Sequence, residues 1–448
     1  MTAASAAAVF LCFLVFASVC VVRAAGPTGS PIPAPMTSTV PGGLPWQPVV
    51  GGPLMPAATY LDWPTPWDGG FAAVQSITGS ARRSARPMAV WHSTDGIAWA
   101  VSALPSGLGS VLGLLPFRGG LALVVADDST PNAGSDRSWS VRIWRSSDAK
   151  RWRASGSLSV HVPAGSGQCR ISNQYVSVAD RKLVVMASMC RSGCCGISAP
   201  SPAPSMAMIG SAARSADPGG TFTWTSTTGR QWTRHRVTGV EHDGDLATVS
   251  GVARAPDGLL AFDSGRTPSL VSSTDGVAWH TVLPLPLDLD TTGSSAVART
   301  SGGYLLVGSR QCADCDEAIG AWTAASGGVW TITPGMPEAF DFFGMATGLN
   351  VVLLFGQTLG DDALEYPVLV VSYDGGATWD PTAGWTGTAA DWPGARTESC
   401  LGPAALSLTS AVIIGCPTGT APIYATELPS RGPVPSLSPS SIPSMAPR

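Results

Sequence analysis

Ser372-Tyr373-Asp374-Gly375-Gly376-Ala377-Thr378-Trp379 is the fullest copy of a motif that recurs along this 448-residue chain. Ser93-Thr94-Asp95-Gly96-Ile97-Ala98-Trp99 and Ser273-Thr274-Asp275-Gly276-Val277-Ala278-Trp279 repeat it with one residue fewer. Three worn copies end at Trp152, Trp232 and Trp330. The six closing tryptophans are separated by 53, 80, 47, 51 and 49 positions. An interval of that size marks one small supersecondary unit used repeatedly, and the rest of the sequence is read against it.

Each unit has the same internal order. Val252-Ala253-Arg254-Ala255 leads through Pro256-Asp257-Gly258 into Leu259-Leu260-Ala261-Phe262. Leu270-Val271-Ser272 precedes the motif, and Trp279-His280-Thr281-Val282 follows it. Four short β-rich runs with tight turns at regular spacing read as all-β. A four-stranded blade repeated radially is a β-propeller. No stretch shows a long helical period.

Six motifs require at least six blades. A seventh is predicted beyond Trp379, where 404–415 and 423–426 are further strand candidates. In every unit an aromatic residue or Val stands two places before the motif: Trp91, Trp144, Trp224, Val271, Trp322 and Val370. Tyr424 fits that place in a seventh, worn unit, which lacks a fourth strand of its own. Trp46-Gln47-Pro48-Val49-Val50 resembles the missing run, because each motif Trp begins one. The expectation is a seven-bladed propeller whose last blade is completed by the N-terminal strand. Such closure removes an open sheet edge. Six blades with a C-terminal extension is the alternative.

The chemistry of the motif is that of a turn. Gly accepts the unusual backbone angles of a tight hairpin. Asp and Ser accept N–H bonds within it, and Trp buries a large apolar area against the blade. Asp95, Asp148, Asp275 and Asp374 are therefore expected to be turn staples rather than catalytic acids. Ser93, Ser273 and Ser372 share that role, and Trp99, Trp152, Trp232, Trp279, Trp330 and Trp379 close the turns. In two worn copies Thr228 and Ser326 stand in place of the Asp.

The pattern Ser-x-Asp-Gly-x-x-Trp resembles the Asp-box, or bacterial neuraminidase repeat, of sialidase-like propellers. The resemblance covers roughly residues 45–427. It implies that the motif turns join third to fourth strands and lie on one face. It also implies that ligands meet the opposite face, at the mouth of the central channel. It implies no particular activity, because Asp-boxes occur in sialidases, other glycoside hydrolases, sorting receptors and photosystem assembly factors.

The formal net charge is −4, which gives no basic footprint for nucleic acid. Residues 1–25 read as an export signal, with an apolar stretch from Ala6 to Val22 and a small-residue site at Val22-Arg23-Ala24. The region before that stretch has no Lys or Arg, so an uncleaved anchor is the alternative. No later segment is long and apolar enough for a bilayer span. The Pro/Gly/Ser-rich stretch 26–44 reads as a linker, 428–448 as a disordered tail, and about 190–220 as a loop inserted in blade 3. The protein is expected to be secreted or extracytoplasmic, and monomeric.

Eight of the ten cysteines lie beyond the signal, an even number that suits an oxidising compartment. Cys169 precedes the first strand of blade 3 and Cys190 ends its second. Cys400 and Cys416 hold the same places in blade 7. These positions are expected to pair as Cys169–Cys190 and Cys400–Cys416, with Cys312–Cys315 as a local bridge. Cys194 and Cys195 are left as a vicinal pair. A zinc site built from the last four is the rival reading.

Loops on a rigid scaffold are where binding residues concentrate. The loops opposite the motif are rich in acids, and Glu241, Asp243 and Asp245 form the densest group. That group is a candidate for Ca²⁺, which prefers oxygen ligands; no cofactor is required. Trp63, Trp67, Trp385 and Trp392 stand beside Asp68 and Asp391 in stretches assigned to inter-blade connections, where they suit sugar stacking or junction packing. Arg266 and Arg310 are the candidate loop cations.

Three functional classes remain. A sialidase needs three Arg around a carboxylate, a Tyr nucleophile and an Asp acid/base. The Arg-Ile-Pro motif expected before the first Asp-box is replaced by Asp62-Trp63-Pro64-Thr65-Pro66-Trp67, and no complete catalytic set assembles. A hydrolase using two carboxylates is a second class. The favoured expectation is a non-catalytic propeller that binds a glycan, protein or envelope ligand through the loop face.

Overall fold

The computed structural model describes residues 46–48, 59–77, 86–127, 137–162, 170–190, 220–243, 246–247, 249–290, 295–311, 318–336, 341–348, 350–359, 365–380, 401–407, 409–415 and 423–428. The expected signal, linker and tail lie outside these residues, as does most of the blade 3 insertion. No helix long and apolar enough to cross a membrane occurs among the described residues.

The strands are β1 (Gln47–Pro48) and then seven blades. Blade 1 is β2 (Thr59–Trp67), β3 (Gly70–Ile77), β4 (Arg86–Ser93) and β5 (Ala100–Ala103). Blade 2 is β6 (Ser110–Phe117), β7 (Gly120–Asp127), β8 (Arg137–Ser146) and β9 (Arg153–Val162). Blade 3 is β10 (Arg170–Ala179), β11 (Lys182–Cys190), β12 (Gly220–Ser226) and β13 (Thr233–Arg236). A hairpin of β14 (His242–Asp243) and β15 (Leu246–Ala247) leads to blade 4. Blade 4 is β16 (Val249–Ala255), β17 (Gly258–Asp263), β18 (Ser269–Ser273) and β19 (His280–Pro284). Blade 5 is β20 (Ser295–Thr300), β21 (Gly303–Ser309), β22 (Ile319–Ala324) and β23 (Thr331–Ile332). Blade 6 is β24 (Asp341–Thr347), β25 (Val352–Leu359) and β26 (Glu365–Ser372). Blade 7 is β27 (Leu401–Leu406), β28 (Ser410–Gly415) and β29 (Ile423–Glu427).

Each blade is an antiparallel meander in chain order. The first strands contact one another in the order β2, β6, β10, β16, β20, β24, β27 and back to β2. They therefore form the inner wall of a closed ring. β1 pairs with β29, with Gln47 opposite Ala425 and Pro48 opposite Tyr424. The N-terminal strand completes blade 7, and the ring has seven blades. Among the described residues the fourth strand of blade 6 is represented by a bridge between Val371 and Asp380.

The core follows from the blade order. Second and third strands are sandwiched between neighbouring blades, so they carry unbroken apolar runs rather than alternation. All six residues of β17 are buried, whereas three of the four residues of the outer strand β13 are exposed. Among the described residues seven apolar clusters form, one at each blade boundary. Blades 2 and 3, for example, share Phe117, Ile143, Leu183 and Trp224. Blades 7 and 1 share Val412, Ile414, Phe71 and Trp91, which closes the circle with side chains as well as backbone. Trp46, just before β1, lies 8% exposed in the cluster between blades 6 and 7. Burial of apolar area on this scale is the dominant stabilising contribution.

Candidate functional site between blades 3 and 4

Strand order sets two faces. Turns joining first to second and third to fourth strands emerge on one side, here the motif face. Connections from second to third strands and between blades emerge on the other, the loop face.

On the motif face the sequence motif builds a self-contained turn. Ser93 Oγ donates to Asp95 Oδ1 at 2.9 Å and accepts the Gly96 N–H at 2.8 Å. Asp95 Oδ1 also accepts the N–H groups of Ile97 at 2.8 Å and Ala98 at 2.9 Å. Trp99 Nε1 donates to the Gly96 carbonyl at 2.6 Å. Asp148, Asp275 and Asp374 make the corresponding bonds to Arg151, Ala278 and Thr378. In blade 3, Thr228 Oγ1 accepts the Arg230 N–H at 3.2 Å in place of the carboxylate. In blade 5 no acid takes part, and Trp330 Nε1 instead reaches the Pro284 carbonyl of blade 4 at 2.7 Å. The N–H groups of Arg151 and Lys150 hold the Asp148 carboxyl at about 2. Burial pushes Asp95 up, but its bonds to the Ala98 and Ile97 N–H groups outweigh it and leave the carboxyl below its ordinary value. These acids are committed to turn architecture.

On the loop face the connection from blade 3 to blade 4 is the most elaborate among the described residues. Past β13, Thr238 runs parallel to the blade 4 motif. Its N–H donates to the Val277 carbonyl at 3.1 Å, and its carbonyl accepts the Trp279 N–H at 2.9 Å. Gly239 follows at φ 80°, where a Cβ would stand 1.9 Å from the Trp279 carbonyl oxygen. Only glycine allows this approach. The chain then reaches Glu241, whose N–H donates to Asp263 Oδ2 at 3.0 Å. Asp263 ends β17 and is 3% exposed. Its Oδ1 accepts the Gly265 N–H at 3.1 Å. The Glu241 carboxylate accepts the Arg266 N–H. Two carboxylates thus lock the β17–β18 loop to the inter-blade segment, and hairpin β14–β15 follows directly, packed on β11 and β12. Between segment and blade lies a cleft of about 360 Å³, lined by Val240, Glu241, Asp263, Thr267, Ser269 and Thr281 among others.

The predicted residues fall as follows. Glu241 is in the cleft wall. Asp243 lies on β14, and Asp245 is outside the described residues. No group of three His, Cys, Asp or Glu is placed to hold a metal among the described residues. Arg266 is exposed on the β17–β18 loop. Arg310 follows β21 and its Nε lies 3.3 Å from Asp288 Oδ2, so it is tied to the connection between blades 4 and 5.

Two assignments are corrected. Trp63 and Trp67 belong to strand β2, not to a connection, and Asp68 forms the β2–β3 turn on the motif face. Prolines 64 and 66 argue for a loop by sequence, but a bulge between Asp62 and Thr65 lets the strand absorb them. Trp67 packs into the cluster between blades 1 and 2. Trp385, Asp391 and Trp392 lie outside the described residues. So do Cys169, Cys194, Cys195, Cys312, Cys315, Cys400 and Cys416, while Cys190 ends β11 opposite Arg170.

Asp263 was not among the expected site residues. Its signal is Asp263-Ser264-Gly265 at the end of an apolar run, the composition of an Asp-stapled turn.

No protein-family model matches the sequence, and no curated protein does. Among solved structures, the chain is similar to the β-propeller domain of the trilobed protease from Pyrococcus furiosus. The identity is 8%, covering 70% of this chain and 81% of that one, with a TM-score of 0.41. The GH74 xyloglucanase from Xanthomonas campestris matches at 16% identity over 85% of this chain and 53% of its own, with a TM-score of 0.46. The α-L-arabinofuranosidase from Fusarium graminearum matches at 12% identity over 71% and 95%, with a TM-score of 0.37. At these identities and scores the likeness assigns no activity.

Proposed function

We propose that the protein is an exported propeller of the Asp-box type that binds a glycan through its loop face without converting it. The cleft between blades 3 and 4 is the proposed contact site. One observation carries this reading: Glu241 and Asp263 are held rigidly by backbone N–H groups at the wall of a cleft also lined by the hydroxyl-bearing Thr267, Ser269 and Thr281. Carboxylates and hydroxyls fixed in place suit a ligand rich in hydroxyl groups, because little ordering is lost on binding. Glu241, Asp243 and Asp245 are the proposed Ca²⁺ ligands in the same connection.

A second reading is a glycoside hydrolase using two carboxylates. It draws on the same two side chains, Glu241 and Asp263, both in the cleft wall. The test is a glycan-array screen of residues 26–448, with and without Ca²⁺. Selective retention of one glycan, weakened by Thr267→Ala and Glu241→Gln, is the expected result. Release of reducing sugar from that glycan would move the protein to the hydrolase reading. A blank array under both conditions would overturn both.

A further inference from the structure

The motif face of blades 2 and 3 carries a concentration of positive charge that the loop-face reading does not use. The chain as a whole is acidic, and its only two lysines, Lys150 and Lys182, both lie on this face. Lys150 shares it with Arg118, Arg145, Arg151 and Arg153 of blade 2 and with Arg230 of blade 3. Arg118, Lys150, Arg151, Arg153 and Arg230 are exposed.

Their proximity is fixed by the fold. Arg145 and Arg153 are direct cross-strand partners on β8 and β9. Arg118 Nη1 donates across the blade boundary to the Thr227 carbonyl at 3.1 Å. Arg230 Nε returns the link, donating to the Ser155 carbonyl of β9 at 3.0 Å. Arg145 is held over the Phe117 ring at 5.1 Å, and burial together with the Arg118 charge lowers its pKa. Two acids lie in these turns: Asp148, whose Oδ1 is taken by the Ser146 hydroxyl and the Lys150 and Arg151 N–H groups, and Asp180, whose Oδ2 lies 3.4 Å from Lys182 Nζ. Like charges set directly opposite each other on a sheet destabilise it. A bound polyanion would relieve that repulsion.

We propose that this face binds an acidic polysaccharide. Guanidinium groups match sulfate and carboxylate through paired N–H donors. Beside them the outer strand β9 presents Ser157 and Ser159 exposed, hydroxyls suited to the neutral positions of a sugar chain. The surroundings argue against other polyanions. Single-stranded nucleic acid is held by aromatic stacking as well as charge, yet Phe117 is 2% exposed, and the half-buried Trp152 and Trp232 are packed against the blade-boundary clusters. Membrane surfaces are gripped by inserted apolar side chains as well as by charge. The large exposed hydrophobic residues among those described, such as Ile97, Leu287, Val329 and Phe343, belong to blades 1, 4, 5 and 6.

The experiment is binding of the protein to immobilised heparin and to polygalacturonate, with neutral dextran as the control. Single-stranded DNA and phosphatidylserine vesicles are run in parallel. Heparin distinguishes sulfate, and polygalacturonate distinguishes carboxylate. Retention of either that falls steeply with salt, without retention on dextran, is expected. The triple variant Lys150→Ser, Arg151→Ser, Arg153→Ser changes only exposed side chains and should weaken binding about tenfold or more, on the scale of lost charge-assisted contacts. Its unfolding midpoint verifies the fold. Arg151→Lys with Arg153→Lys keeps the charge but removes the paired donors, and should weaken binding less than the triple variant. Equal binding by the triple variant, or tighter binding to DNA or vesicles than to both polysaccharides, would overturn the proposal.

Discussion

Thr223 of blade 3 donates its hydroxyl to the carbonyl of Gly276 in the blade 4 motif, at 2.6 Å. In blade 1 the corresponding carbonyl, that of Gly96, is taken by the motif's own tryptophan. In blade 4 the threonine has displaced it, and Trp279 Nε1 is left buried with no hydrogen-bond partner. A bond inside one turn has been exchanged for a bond between blades. Thr223→Val keeps the shape and removes the donor. Losing a buried bond costs about 1–3 kcal/mol. The expected cost is at the low end, about 1 kcal/mol, because the Trp279 indole stands ready to take the carbonyl. Denaturant unfolding measures it, and a loss far above about 3 kcal/mol would mean that the indole cannot turn.

Trp46 precedes a strand of only two residues, yet it is buried in the cluster between blades 6 and 7. The seal of the ring therefore rests on this side chain as much as on backbone pairing. Trp46→Ala should destabilise by about 3–5 kcal/mol, as for other large aromatic deletions. It should also expose the outer edge of β29 and promote self-association at high protein concentration. Thermal unfolding and light scattering measure the two effects. A variant as stable and as monodisperse as the wild type would show that β1 is dispensable.

Ala149 stands where other copies of the motif have glycine, at φ 57°. That backbone region costs an L-residue about 1–2 kcal/mol. Ala149→Gly removes the strain but adds entropy to the unfolded chain. The net expectation is a gain of up to about 1 kcal/mol. The reverse change, Gly276→Ala, should destabilise clearly, since its Cβ would lie 2.7 Å from Val184 Cγ1 at φ 77°. Urea unfolding of the two variants should therefore shift in opposite directions.

The motif carboxylates make stability depend on acid pH. Asp148 sits at about 2, and Asp95 and Asp275 are also lowered by backbone N–H bonds despite burial. A carboxyl whose folded value lies below its unfolded value binds fewer protons when folded. Its contribution is present above the unfolded value of 3.8 and is lost as pH falls through the folded value. Stability should hold at pH 5 and above and decline between about pH 4 and 2. Asp148→Asn should flatten part of that decline and lower stability near neutrality. An unchanged acid profile in this variant would remove the turn carboxylate from the account.

The register of blade 7 bears on the cysteines. Leu401 pairs with Gly415 at the end of β27 and β28, and the next residues outward are Cys400 and Cys416. A bridge between them is the expected product in an oxidising compartment. Peptide mapping without reductant should recover the two cysteines as one linked pair. Finding both as free thiols in exported protein would reject it.

The sequence alone determined the period, the blade order, the motif turns and the closing strand. All of these rest on interactions spanning a few residues, or on a pattern repeated until it is unmistakable. A Ser-x-Asp-Gly turn satisfies its own donors within one hairpin, so it can be read wherever it occurs. The strand before Trp67 was misread because two prolines outweigh a bulge that only pairing with β3 reveals. Tertiary structure decided what crosses a blade boundary. Asp263 became the brace of the loop face because ring closure brings Glu241, from the preceding connection, to its carboxylate. Gly239 is required only because the chain passes against Trp279. Arg118 and Arg230 share one charged surface because blades 2 and 3 pack face to face. Periodicity records how each blade folds, but partners in neighbouring blades are set by packing.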